Sequence, residues 1–141
     1  NFNATFMIVG LDYGRKRCGL AVANASWVFE REALPTLPQE VFFAAIQRMI
    51  ETEHVTRIVV GMPYGMHSAQ SNMSAEVEEF ITVLREKVRV PVESWDERLT
   101  TAEAKRNLRS QEVSSQNLAK RKDSLSAKLM LESFIAAHPA L

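Results

Sequence analysis

The 141 residues suffice for one domain, which at this size buries roughly 70% of the surface its unfolded chain exposes, so residues 1–141 are expected to form a single folded unit. With 46% hydrophobic and 24% charged residues, disordered, fibrous and low-complexity classes are excluded. Seventeen basic residues balance seventeen acidic ones, so any attraction to nucleic acid must come from local charge placement and not from the overall balance.

The first element is an apolar run, "TFMIVGLDYG", nearly continuous from Phe6 to Leu11 as expected of a strand covered on both faces. It closes on Asp12. Gly14 opens a turn carrying Arg15, Lys16 and Arg17, and "CGLAVAN" resumes as a second strand in a hairpin. A third strand is expected in "WVFEREAL", ahead of Pro35 and Pro38. Helical spacing of Val41, Phe42, Ala45, Ile46, Met49 and Ile50 predicts a first helix with that face in the core. "RIVVGMP" reads as a short buried strand, followed by a loop "YGMHSAQSN".

A second helix carries Val77, Phe80, Ile81, Leu84 and Val88 on one stripe. "VPVESW" is the last strand, and Thr100 with Glu103 fits a capping box at the start of a helix "TTAEAKRNL". The last helix is expected in "DSLSAKLMLESFIAA", with Asp123 at its beginning and Leu125, Leu129, Leu131 and Phe134 in an apolar set. Strands joined by helical crossovers are parallel and hairpins antiparallel, so this order predicts a mixed sheet flanked by helices on both faces.

Acids gather at the element ends. Asp12 ends the first strand, Asp96 and Glu97 the last, and Asp123 begins the final helix. In open α/β sheets ligands bind outside the carboxyl ends of strands. Three carboxylates converging there repel one another unless a divalent cation compensates, and hard oxygen donors suit Mg2+ or Mn2+. Such ions activate water and stabilise the leaving oxygen of a phosphodiester. Plainer roles stay open: Asp123 as a helix N-cap, and Asp96 and Glu97 as solvated loop charges with Arg98 as a surface partner.

Between Arg98 and Lys122 stand seven Lys or Arg, Lys105 and Arg109 among them, against Glu103 and Glu112. That local excess is the footprint expected for a phosphate backbone. His54, His67 and His138 share no metal-ligand spacing; His54 and His138 are expected at the surface, and Cys18 as a small buried hydrophobe. Met7, Met49 and Met130 occupy core-like positions. A lone thiol fits a reducing cytoplasm, and neither a signal peptide nor a membrane-spanning run is expected.

"GLDYGRKRCGLAVA", "RIVVGMP", "WDERLTTAEA" and "KDSLSAKLMLES" resemble, in order and spacing, the YqgF family, described both as Holliday junction resolvases and as nucleases maturing the 5′ end of 16S ribosomal RNA. The resemblance spans almost the whole chain. It implies a ribonuclease H-like fold, a three-layer α/β/α arrangement with a five-stranded mixed sheet. It also implies a metal-dependent hydrolase whose catalytic and metal-binding acids are Asp12, Glu97 and Asp123, with Asp96 the neighbour next in line. Tyr13, Gly14 and Arg98 fall on motif positions too. Arg98, Arg15, Lys16, Lys105 and Arg109 are the expected substrate contacts. Two positions depart from the pattern: the loop after "GMP" reads "YGMHSAQ" in place of an N-M-D-G-like sequence, and Lys122 precedes the last acid where an apolar residue is common.

The expected activity is cleavage at the 5′ end of precursor 16S rRNA, with ribosomal precursor particles as partners and the protein a monomer or homodimer. The alternatives are resolution of branched DNA and a non-catalytic nucleic-acid-binding factor. "D-Y-G" before a hairpin also resembles the first phosphate motif of the actin and sugar-kinase superfamily, but the chain is too short for the two domains that those proteins need.

Overall fold

The computed structural model describes residues 6–25, 27–64, 68–99 and 118–139, with side chains left aside at 68–72 and 118–123. Five strands, β1 (Ile8–Tyr13), β2 (Arg17–Ala23), β3 (Val28–Pro35), β4 (Arg57–Met62) and β5 (Val92–Asp96), form one sheet in the order β3-β2-β1-β4-β5. β1, β2 and β3 are joined by hairpins and pair antiparallel, whereas β1–β4 and β4–β5 are parallel. The helices supply the crossovers: α1 (Gln39–Glu53) between β3 and β4, and α2 (Ser68–Lys87) between β4 and β5. The last helix, α3, spans Leu118–Ala136.

Alternation along the strands sorts side chains into two cores. Val9, Leu11, Leu20, Val22, Ile58, Val60 and Met62 pack with Phe42, Phe43 and Ile46 of α1 and Val77, Phe80, Ile81 and Leu84 of α2. On the opposite face Ile8, Ala21, Ala23 and Val59 meet Ala127, Met130, Leu131 and Phe134 of α3. That second face is lined with small residues, so α3 seats close to it. A Cβ at Gly10 would lie 3.2 Å from Leu131 Cβ, tight enough that either side would have to give.

The β1–β2 hairpin turns over Gly14, where a Cβ would come within 2.7 Å of the Arg17 carbonyl oxygen. Thr36, almost fully buried, holds this turn from the end of β3: its hydroxyl donates to the Arg15 carbonyl (2.7 Å) and its N–H to that of Lys16 (3.0 Å). α1 starts after Pro38, whose extended backbone sets the chain for a helix, and stops at His54, which closes it in a left-handed conformation (φ 56°).

Several expectations are corrected. Val41 is 63% exposed, not in the core; Phe43 takes its place because it meets both Phe42 (ring centroids 5.3 Å apart) and Phe80 (6.1 Å). Val41, Ala44, Ala45, Arg48 and Met49 instead line an open groove on the outside of α1. The loop expected at 64–72 gives way to α2 from Ser68. The final helix begins at Leu118, so Asp123 lies inside it and not at its start. His138 is half-buried: its ring stacks on Phe134 at 4.2 Å, and its Nδ1 donates to the Phe134 carbonyl at 2.7 Å. His54 is exposed, Cys18 and Met130 are buried, and Met7 and Met49 pack at the core margin. The capping box at Thr100 and Glu103 and the helix expected after it lie outside the described residues, as does His67.

Candidate active site

Asp12 is the penultimate residue of β1, opposite Gly19 of β2. The parallel ladder to β4 runs as far as Leu11↔Val60, and one step further along both strands stand Asp12 and Gly61. Alternation puts Asp12 on the same face as Gly10, the face covered by α3. Its successor Tyr13 turns the other way and stacks on Phe80 at 4.2 Å.

Glu97 reaches this level from the far edge of the sheet. β5 ends with Asp96 opposite Met62, and the chain then bends through a single 3-10 turn, Glu97–Leu99. Asp96 makes the bend: its Oδ1 accepts the N–H of Arg98 at 2.9 Å, the turn an aspartate favours two residues ahead of a backbone donor. The Ser133 hydroxyl of α3 donates to the Leu99 carbonyl at 3.2 Å. The carboxylate of Glu97 is thereby laid over Gly61, where a Cβ would stand 2.9 Å from Oε2 and 3.2 Å from Cδ. Gly61 shares its face with Val59, hence with α3 and Asp12. Two acids 85 residues apart in sequence thus occupy one face and one level of neighbouring strands, which in a sheet are about 4.8 Å apart.

α3 carries the third acid. Ser124 is buried, and its Oγ accepts the N–H of Leu20 at 3.3 Å. That donor lies at the register shift in the β2–β3 ladder between Cys18 and Leu20. Leu20 pairs with Leu11, the residue before Asp12, so the bond fixes the height of α3 against the site. Asp123, the preceding residue and one turn before Ala127, is placed at that height by the backbone; its side chain is outside the described atoms.

Asp96 does not join Glu97. Alternation along β5 puts it on the α2 face, and its carboxylate is held by Arg98, with Nε 3.0 Å from both oxygens and Nη2 2.6 Å from Oδ2. The hydrogen bonds from the Arg98 side chain, opposed by burial, hold the Asp96 carboxyl below the ordinary carboxylate range. The Arg98 guanidinium carbon lies 5.8 Å from the centre of the Tyr64 ring. Among the other expected contacts, Arg15 is paired with Glu76 of α2 (Nε–Oε1 2.9 Å) yet keeps 64% of its side chain in solvent. Lys16 is exposed at the hairpin tip. Lys105 and Arg109 lie outside the described residues.

No group of three metal-ligating side chains occurs among the described residues. Asp12 and Glu97 nonetheless offer hard oxygen donors of the class that Mg2+ and Mn2+ take, and the absent side chain at Gly61 leaves room for one of them. The donor set fits such an ion. Sequence reasoning missed this role of Gly61 and the place of Tyr64; the first depends on strand register, and the second had only an aromatic after "GMP" as a signal.

The family model described as "RuvX: Holliday junction resolvase" matches residues 6–137. A protein of Koribacter versatilis (strain Ellin345) named "Putative pre-16S rRNA nuclease" is 36% identical over 131 residues, covering 91% of this chain and 85% of its own. One of the same name from Caldanaerobacter subterraneus subsp. tengcongensis is 34% identical, covering 91% and 94%. Among solved structures, Thermus thermophilus RuvC in complex with a Holliday junction substrate superposes with a TM-score of 0.59 at 14% identity, over 94% of this chain and 96% of that one. The five-stranded mixed sheet between helices is accordingly a ribonuclease H-like fold.

Proposed function

The chain belongs to the RuvX family of Holliday junction resolvases, and on that premise we propose that it is a metal-dependent nuclease acting on the 5′ end of precursor 16S rRNA in the cytoplasm. The observation that carries the reading is the Glu97 carboxylate lying over Gly61 on the face and level of Asp12. The names of the relatives support the RNA substrate.

Asp12, Glu97 and Asp123 would hold Mg2+ or Mn2+. When bound, these ions activate water and neutralise charge on the leaving oxygen. The protein's own part is placement. β1 presents Asp12 and the 3-10 turn after β5 lays the Glu97 carboxylate across the intervening β4, while α3, fixed by Ser124, would bring in Asp123. Arg98, with Nε and Nη2 clamped by Asp96, keeps its remaining N–H groups for a non-bridging phosphate oxygen. Arg15, Lys16, Lys105 and Arg109 draw in the flanking backbone by charge.

The test is an assay of the purified protein with a precursor-end RNA and a four-way DNA junction, each with Mn2+. Asp12→Asn, Glu97→Gln and Asp123→Asn are each expected to abolish cleavage while the circular dichroism spectrum is retained. A triple variant that still cuts would overturn the assignment. The family's description favours a second reading, junction resolution. That activity makes two symmetric cuts and so requires a two-fold dimer, which sedimentation of the protein on a junction would reveal.

A further inference from the structure

On the α2 side of the sheet edge lies a groove of about 390 Å³ lined by residues including Met62, Tyr64, Glu78, Thr82, Arg85 and Ser94. Its floor is fixed: Arg85 reaches across and donates to the Val92 carbonyl at 2.9 Å, and the Thr82 hydroxyl donates to the Glu78 carbonyl within the helix. The Glu78 carboxylate and the Ser94 hydroxyl make no hydrogen bond among the described residues, so polar atoms on both walls remain available.

The rim is aromatic and cationic. Tyr64, 36% exposed, is set by a tight turn in which its N–H donates to the Met62 carbonyl at 3.0 Å. Arg98 stands over the ring, its plane oriented by the two-pronged bond to Asp96. A salt bridge at the surface has little stabilising value, and clamping an arginine above a partly exposed tyrosine is of small use to the fold. An aromatic face beside a guanidinium plane, above a groove with polar walls, is the combination that stacks an unpaired nucleobase and hydrogen-bonds its edge.

We propose that this groove, with Tyr64 and Arg98 at its rim, takes one unpaired nucleobase of the strand being cut, next to the reacting phosphate. The proposal rests on the nuclease reading above. Met62, two residues before Tyr64, pairs with Asp96, so the rim on the α2 face and the acids on the α3 face meet at one end of the sheet, and a strand of nucleic acid passing over that end would reach both. Base-paired arms offer no free base for the groove. A requirement for one therefore selects a single-stranded RNA flank over an intact duplex arm.

Binding is measured with the full chain carrying Asp12→Asn, which prevents turnover, against a short single-stranded RNA containing 2-aminopurine and against the same sequence fully paired. Stacking on Tyr64 quenches the fluorophore. Tyr64→Ala is expected to weaken single-strand binding roughly 5- to 150-fold, the range for losing one stacked base, and to abolish the quench, with duplex binding unchanged. Tyr64→Phe and Tyr64→Trp retain both. Ser94→Trp, at an exposed position on the edge strand, fills the groove and reproduces the loss, giving a second route should Tyr64→Ala fold poorly. Single-strand affinity within twofold of the parent in both Tyr64→Ala and Ser94→Trp, with the quench intact, overturns the proposal. A Tyr64-dependent quench in a protein whose Asp12-containing form cuts nothing upholds the groove and removes the nuclease reading. Cleavage that ignores Tyr64 does the reverse.

Discussion

Asp96 and Glu97 are adjacent in sequence and opposite in fate, because β5 ends between them and the bend sends their side chains to different faces of the sheet. Glu97 depends on the missing side chain of Gly61. In Gly61→Ala the new Cβ would press on the end of a flexible carboxylate, 2.9 Å from Oε2, so the fold adapts while the carboxylate moves. Melting within a few degrees of the parent and a fall in cleavage of about 100-fold are expected, as for an ångström-scale misplacement of a reacting group; unchanged cleavage would mean that Glu97 acts elsewhere. For Asp96 the direction of its shift fixes a pH dependence. Held below its ordinary value by Arg98, the carboxylate contributes stability that is present above about pH 4, the unfolded value, and is lost as the pH falls through the lower folded one. In Asp96→Asn the stability deficit seen by urea titration at pH 6 should shrink steadily below pH 4. Being near the surface, the pair contributes modestly. At this scale the placement of the acids at strand ends was legible, because Asp12 closes an apolar run and Glu97 follows the last strand. The partner of Glu97 was not, since a glycine 36 residues away meets it only through strand register.

Among the elements, α3 shows how an acid can be read on a wrong boundary. An aspartate ahead of an apolar run looks like an N-cap, but "LAKR" before it consists of good helix formers, and the helix runs back to Leu118. What sets the helix height is Ser124, through the Leu20 N–H freed at the register shift. Ser124→Ala leaves that buried donor without its acceptor, at a cost of about 1–3 kcal/mol. It should lower cleavage by more than the stability loss alone explains, measured well below the melting temperature, because Asp123 moves with the helix. Equal cleavage at matched folded fraction would show that α3 is held by its apolar face alone. The same limit of periodicity explains α1: spacing alone could not choose between Val41 and Phe43, which lie about 200° apart around the helix, and the rings of Phe42 and Phe80 decide it.

At the scale of the whole molecule, the mixed sheet was legible because hairpins and helical crossovers leave few ways to order five strands. Its consequence is that the proposed site draws on distant stretches of chain, β1, the turn after β5, and α3, which come to one end of the sheet only when folded. An ion held by Asp12, Glu97 and Asp123 would bind the native state and not the unfolded one, and would stabilise it by mass action by about 2.7 kcal/mol when present at a hundred times its dissociation constant. Mn2+ is therefore expected to shift the unfolding of the parent upward by several degrees, with EDTA restoring the metal-free value. Asp12→Asn should gain little from Mn2+, because one of the ion's oxygen donors is gone. The measurement needs no substrate and separates ion binding from cleavage: equal shifts in parent and variant would place any bound ion away from Asp12, and with it would go the reason for gathering these acids at one end of the sheet.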